Sequence, residues 1–117
     1  IIIYGDGLQK SEYIYVKDVS ESFFRTIDRE VDTGTDIIHV GSGQNHSVLD
    51  IVSALEEAWG QKINKKFVKM RPGEHKIEIN LDPKNLKKYL DYELKWDLIT
   101  GLKETIPYYL DQHNKKS

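Results

Sequence analysis

The chain has 117 residues, 38% of them hydrophobic and 31% charged, a size and balance that fit one globular domain with a modest core and argue against disorder. Its formal net charge of −2 supplies no overall attraction to nucleic acid or to an anionic membrane, so any bound anion must be held by local groups. Cysteine is absent, which excludes disulfides and thiolate metal sites and allows the cytoplasmic location that is expected.

Ile1-Ile2-Ile3-Tyr4 reads as a buried strand whose beginning is missing, so the chain is expected to be a piece of a longer one. The run is far too short for a membrane span or a signal peptide. Gly5-Asp6-Gly7 turns the chain, and Glu12 to Val16 is a second strand candidate, rich in aromatic and β-branched residues. Asp18 then stands where a helix N-cap belongs, with Glu21 three residues on to bond back. Val19, Phe23, Phe24, Ile27 and Val31 follow at helical spacing, which predicts a helix that buries this face.

Asp36 to Val40 is a third strand candidate, running into Gly41-Ser42-Gly43. Ser47 and Asp50 form a second capping signal, and Val48, Ile51, Val52, Leu55, Ala58 and Trp59 make an apolar stripe before Gly60 stops the helix. Lys62 to Met70 is extended, and Lys76 to Leu81 alternates as a half-buried strand does. Asp82-Pro83 opens a short helix, with proline where its missing N–H costs nothing. Asp97 caps a last helix carrying Leu98, Leu102, Ile106 and Leu110, which Pro107 should kink or divide. The tail 114–117 is polar. Mixed strands and about four helices with short connections place the chain in the α/β class, in an α+β-like variant.

Several stretches in fixed order are more specific. They are Ile3-Tyr4-Gly5-Asp6-Gly7, Tyr13-Ile14-Tyr15-Val16-Lys17-Asp18-Val19, Val40-Gly41-Ser42-Gly43, Arg71-Pro72-Gly73-Glu74 leading to Leu81-Asp82, and Gly101 to Ile106 with Tyr108-Tyr109. Together they resemble the C-terminal part of the extended short-chain dehydrogenase/reductase family, in the branch of NAD-dependent nucleotide-sugar epimerases and dehydratases. The resemblance covers nearly the whole chain. It implies that residues 1–113 are the small substrate-binding lobe of a Rossmann-type enzyme, with an N-terminal lobe elsewhere that holds NAD and the catalytic tyrosine and lysine. This lobe would then contain no catalytic residue and no metal. Its partners would be a UDP- or dTDP-type sugar and its own Rossmann lobe, the whole protein a homodimer and the lobe alone a monomer.

The residues agree with that implication. Arg71 is suited to a diphosphate because its planar fork donates several charge-assisted hydrogen bonds. Each is worth roughly 1.5–3 kcal/mol. The Pro72-Gly73 turn aims Glu74 at the same ligand, where a carboxylate accepts from ribose hydroxyls. Backbone groups of Ile3 and Tyr4 would meet the base edge, with Tyr13 lining the same pocket.

Ser11 stands where the family carries a second diphosphate-binding arginine, with Lys10 beside it as a substitute cation. Glu78 replaces an aromatic residue, and Tyr92 and Leu94 replace tryptophan and proline, which read as packing changes. Tyr13 and Lys17 match the spacing of the family's catalytic pair, but on a strand they would stand roughly 13 Å apart rather than share a helix face. No glycine-rich dinucleotide fingerprint is present. The four histidines lack metal-ligand spacing, and His75 reads as a solvated turn residue. The expected activity of the whole protein is 4-epimerisation. The alternative is a non-catalytic nucleotide-binding or interaction module derived from the same family.

Overall fold

The computed structural model describes residues 1–27, 37–74, 78 and 81–115. Among the described residues four helices and four short strands appear in the order β1 (Ile2–Tyr4), β2 (Lys10–Ser11), α1 (Val16–Ile27), β3 (His46–Ser47), α2 (Val48–Trp59), β4 (Lys66–Val68), α3 (Lys84–Leu90) and α4 (Leu98–Asn114). The strands form two separate pairs. β1 lies parallel to β4 with Ile3 opposite Phe67, and β2 lies antiparallel to β3 with Ser11 opposite His46. Helix α2 packs on α4, and α1 on α3.

Local chemistry explains the helix ends that the sequence announced. At α2 the Ser47 side chain accepts from the Asp50 amide at 3.1 Å, and the Asp50 carboxylate accepts from the Ser47 amide at 2.8 Å. The pair satisfies two backbone donors that a helix start leaves open, and those bonds hold the Asp50 carboxyl below its ordinary range. Gly60 closes the helix in the left-handed region, φ 74°. At α4 the Asp97 side chain accepts from the Thr100 amide at 2.8 Å. Pro107 neither ends nor divides α4, which continues to Asn114. Gly101 lets α4 approach the preceding irregular stretch, since a Cβ there would lie 3.2 Å from the Cβ of Tyr15.

Around α1 three sequence expectations give way. The strand expected at Glu12–Val16 is confined to Lys10–Ser11; residues 12–15 are irregular and α1 already begins at Val16. Asp18 is therefore not an N-cap but a residue of the first helical turn, and it is fully buried. The third change concerns which face of α1 turns inward. Phe23, Phe24 and Ile27 are 68%, 61% and 76% exposed, whereas Asp18 and Ser22 are buried. Helical periodicity places these apolar residues near one another but does not say which stripe the rest of the chain covers. Here the covered stripe is polar and is held by hydrogen bonds.

In β1 only Ile3 is buried, while Ile1 and Ile2 are exposed. Residues 37–40 form no strand; Ile38 and Val40 instead pack, with Leu94, on the buried cluster of Leu86, Leu90 and Tyr92. Asp36 and Val31, His75, and most of the strand expected at Lys76–Leu81 lie outside the described residues. Pro83 precedes α3, whose first amide, Lys84 N, donates to Asp82 at 2.9 Å. No helix among the described residues is long and apolar enough to cross a membrane.

Candidate functional site

Parallel pairing of β1 with β4 carries the chain from Val68 through Met70 to the turn at residues 71–74, beside Tyr4. Gly73 sits at φ 82° and the Glu74 amide donates to the Arg71 carbonyl at 3.1 Å. Proline followed by a positive-φ glycine under such a bond is the pattern of a type II turn. The turn folds the Glu74 carboxylate back on Arg71, with one oxygen 2.8 Å from Nη2 and the other accepting from the Arg71 amide at 3.3 Å. The guanidinium carbon lies 4.4 Å from the centre of the Tyr4 ring. Stacking and carboxylate contact together restrict a long side chain that is otherwise 61% exposed.

A cavity of about 310 Å³ opens at this corner, lined by Ile2, Ile3, Tyr4, Gln9, Val48, Met70, Arg71 and Glu74. Four of the sequence-derived candidates, Arg71, Glu74, Tyr4 and Ile3, thus share one wall. Tyr13 and Ser11 do not belong to that lining; Tyr13 is 45% exposed and Ser11 is paired with His46. The Tyr4 carbonyl, expected to face a ligand, accepts from the Gln9 side-chain amide at 3.1 Å. Lys10 lies 3.9 Å from Glu78, which also accepts from Asn45 at 3.3 Å, so the cation beside Ser11 faces a carboxylate of its own chain.

Two other carboxyl groups, neither of them a binding candidate in the sequence, are held by donors from distant parts of the chain. Asp18 accepts from the Tyr92 hydroxyl at 2.7 Å, the Lys95 amide at 3.0 Å and the Trp96 amide at 3.2 Å. Burial, then the hydrogen bond to Asp18, pushes the Tyr92 phenol up to about 12. Along the same stripe Arg25 donates to the Leu90 and Asp91 carbonyls at the end of α3, at 3.3 and 3.2 Å. Glu12 is the second group. It accepts from the Leu81 amide at 2.6 Å with one oxygen, and from the Ser42 and Gly43 amides at 2.7 and 3.3 Å with the other. Glycine at position 41 is needed for this approach, because a Cβ would stand 2.9 Å from that second oxygen. No local pattern in the sequence marks either acid as such a tie, because the donors lie 30 to 78 residues away.

Those bonds also decide what the glycine loops can do. The Ser42 and Gly43 amides are taken by Glu12, and the Gly5 amide by the Val68 carbonyl at 2.8 Å. Neither loop presents the amide cradle that dinucleotide phosphates require. The residues present do not fit NAD. Lys17 is committed as well: its ammonium lies 2.8 Å from Glu104 and over the Tyr15 and Trp96 rings. Lys17 lies in α1 and Tyr13 before it, so the pair lacks a shared helix, although the strand expected to separate them is absent.

No family model matches the chain. Among curated proteins it is 32% identical over 85% of its length to UDP-glucose 4-epimerase of Bacillus subtilis, and 36% identical over 85% to that of Pasteurella multocida. It spans 28% of the length of each. Among solved structures, UDP-glucuronic acid 4-epimerase of Bacillus cereus, in complex with UDP-glucuronic acid and NAD, superimposes with a TM-score of 0.76 at 29% identity. That match covers 87% of this chain and 32% of the enzyme's.

Proposed function

Since the chain belongs to the nucleotide-sugar epimerase and dehydratase family and spans 28% of each of these two UDP-glucose 4-epimerases, we propose that it is the part of such an enzyme that grips the nucleotide diphosphate. The observation that carries this reading is the Arg71 corner, where a guanidinium stacked on Tyr4 and clipped by Glu74 stands in the wall of a cavity. A guanidinium has five N–H donors, and the contact at Nη2 does not exhaust them. Preorganisation by stacking reduces the side-chain entropy that anion binding would otherwise cost. Glu74 plays two parts in this scheme: it sets the guanidinium, and it offers an acceptor to ribose hydroxyls.

The ligand is then a UDP- or dTDP-type sugar, and the reaction of the whole protein is 4-epimerisation through transient oxidation by NAD. NAD and the proton-transfer residues belong to the remainder of that protein, since the glycine loops here have their amides occupied. The contribution of this chain is orientation, which lowers the barrier by holding substrate in a reactive pose. On the same reading residues 1–113 form the substrate lobe, the whole protein is a cytoplasmic homodimer and the lobe alone is a monomer.

The test is to incubate the complete protein with NAD and UDP-sugars and to look for the C4 epimer. Epimer formation supports the reading. A protein that binds UDP yet turns over no sugar nucleotide would favour the second reading, a binding module without catalysis. Ser11 in place of the second arginine, and Lys10 facing Glu78, are what favour that alternative.

A further inference from the structure

The Arg71 corner holds less positive charge than a diphosphate needs. Glu74 stands 2.8 Å from the Arg71 guanidinium, so the pair is close to neutral, whereas a diphosphate brings negative charge on each phosphate. Backbone donors do not make up the difference. The first three amides of α2 donate to the Gln9 carbonyl, the Gly7 carbonyl and the Ser47 hydroxyl, at 3.2, 3.1 and 3.1 Å. The Gly5 amide is taken by Val68, and Lys10 lies 3.9 Å from Glu78.

The ladder of β2 with β3 brings one further cation to this wall. Ser11 stands opposite His46 and Lys10 opposite Ser47, and the Gln9 carbonyl then accepts from the Val48 amide. Side chains along a strand alternate, so Ser11 shares a face with Gln9, and His46 with Val48. Gln9 and Val48 both line the Arg71 cavity, and the Gln9 side chain reaches the Tyr4 carbonyl. Ser11 and His46 therefore continue that wall by one step of the ladder, roughly 7 Å, while Lys10 belongs to the other face. His46 is half-buried, and among the described residues its imidazole has no hydrogen-bond or ion-pair partner. The charged groups around it are Asp50 of α2, whose carboxylate feels both His46 and Lys10, Lys10 with its neighbour Glu78, and Arg71 with Glu74 along the wall.

We infer that His46, in its imidazolium form, is the second cation of the diphosphate grip and donates to the phosphate that Arg71 leaves free. The inference rests on the nucleotide reading of the Arg71 corner. An imidazole in this place makes the grip sensitive to pH, because its charge changes near neutrality. The added affinity is present in mildly acid solution and fades as the pH rises beyond the range in which an imidazole is charged, about 6.5. Carboxylates and guanidinium keep their charge across that range.

Binding of the β-phosphate methyl ester of UDP to the complete protein tests this, since its phosphate charges are fixed near neutrality and it has no sugar to react. Between about pH 5.5 and pH 8, where an imidazole loses its charge, the unaltered protein should lose about tenfold in affinity, the worth of one charge-assisted hydrogen bond. His46→Gln should bind the ester about tenfold more weakly at the lower pH and show no such loss. His46→Arg carries a fixed charge and should bind tightly at both ends. Uridine, which has no phosphate, should bind all three proteins alike. If His46→Gln does not fold, His46→Asn takes its place. A His46→Gln protein with the pH profile of the unaltered one, or an unaltered protein whose affinity is flat over the interval, overturns the inference. So does an equal loss of uridine and ester in His46→Gln, which would make the residue merely structural.

Arg71→Ala tells this failure from that of the nucleotide reading. Weakened ester binding in Arg71→Ala, with the pH profile unchanged in His46→Gln, sinks the role of His46 alone. Undiminished ester binding in Arg71→Ala, or none by the unaltered protein, sinks the reading of the corner and the inference with it.

Discussion

Asp18 and Glu74 are both acids in stretches that match the family, and their surroundings separate them completely. Asp18 is buried at the junction of α1 with the segment at Tyr92–Trp96, and three donors of its own chain converge on it. Glu74 stands at an exposed turn, and among the described residues its carboxylate meets Arg71, three residues away. A carboxyl group saturated by distant parts of its own chain is a structural tie. One that merely sets a neighbouring cation at the mouth of a cavity leaves that cation available. Sequence similarity marks both positions equally; the hydrogen-bond partners tell them apart.

The sharpest way to break this comparison is Asp18→Ala. One buried and two partly buried donors would lose their acceptor at about 1–3 kcal/mol each, and partial relaxation brings the expected loss of stability to about 3–5 kcal/mol. Urea unfolding checks it, and a change under about 1 kcal/mol would mean that water replaces the carboxyl without cost. Asp18→Asn should lose less, since the amide oxygen keeps one acceptor while its nitrogen meets donors.

A smaller effect is expected from Glu56. Its carboxylate accepts from Lys65 at 2.8 Å, the Ile63 amide at 2.9 Å and Lys62 at 3.3 Å, and these contacts, Lys65 first, lower it to about 2. The folded value lies below the ordinary 4.5, so the contribution is present above pH 4.5 and disappears as pH falls toward about 2. Glu56→Gln should flatten the decline in the urea midpoint over that window. An unchanged decline would assign the acid sensitivity to other groups.

How much of this was legible in the sequence follows from the range of the interactions. The caps at Ser47, Asp97 and Gly60 depend on residues within four positions, so their chemistry could be read directly. The turn that joins Arg71 to Glu74 is equally local. Asp18 reaches partners 74 to 78 residues away, whereas the local Asp18–Glu21 spacing suggests a cap and periodicity points the phenylalanines of α1 inward. The clamp of Glu12 on Ser42, Gly43 and Leu81 was invisible for the same reason. Tyr13 shows the converse: the family resemblance implies a place for it in the Arg71 pocket, whereas the chain leaves the strand at Ser11 and Tyr13 is not among the residues that line that cavity.

Titration calorimetry of the complete protein with UDP addresses most directly whether Arg71 is a ligand-facing cation. Arg71→Ala should weaken UDP by at least about tenfold, since charge-assisted bonds are worth roughly 1.5–3 kcal/mol each, while the unfolding midpoint stays within experimental error of the unaltered protein. Undiminished affinity for UDP in a folded Arg71→Ala protein would contradict it.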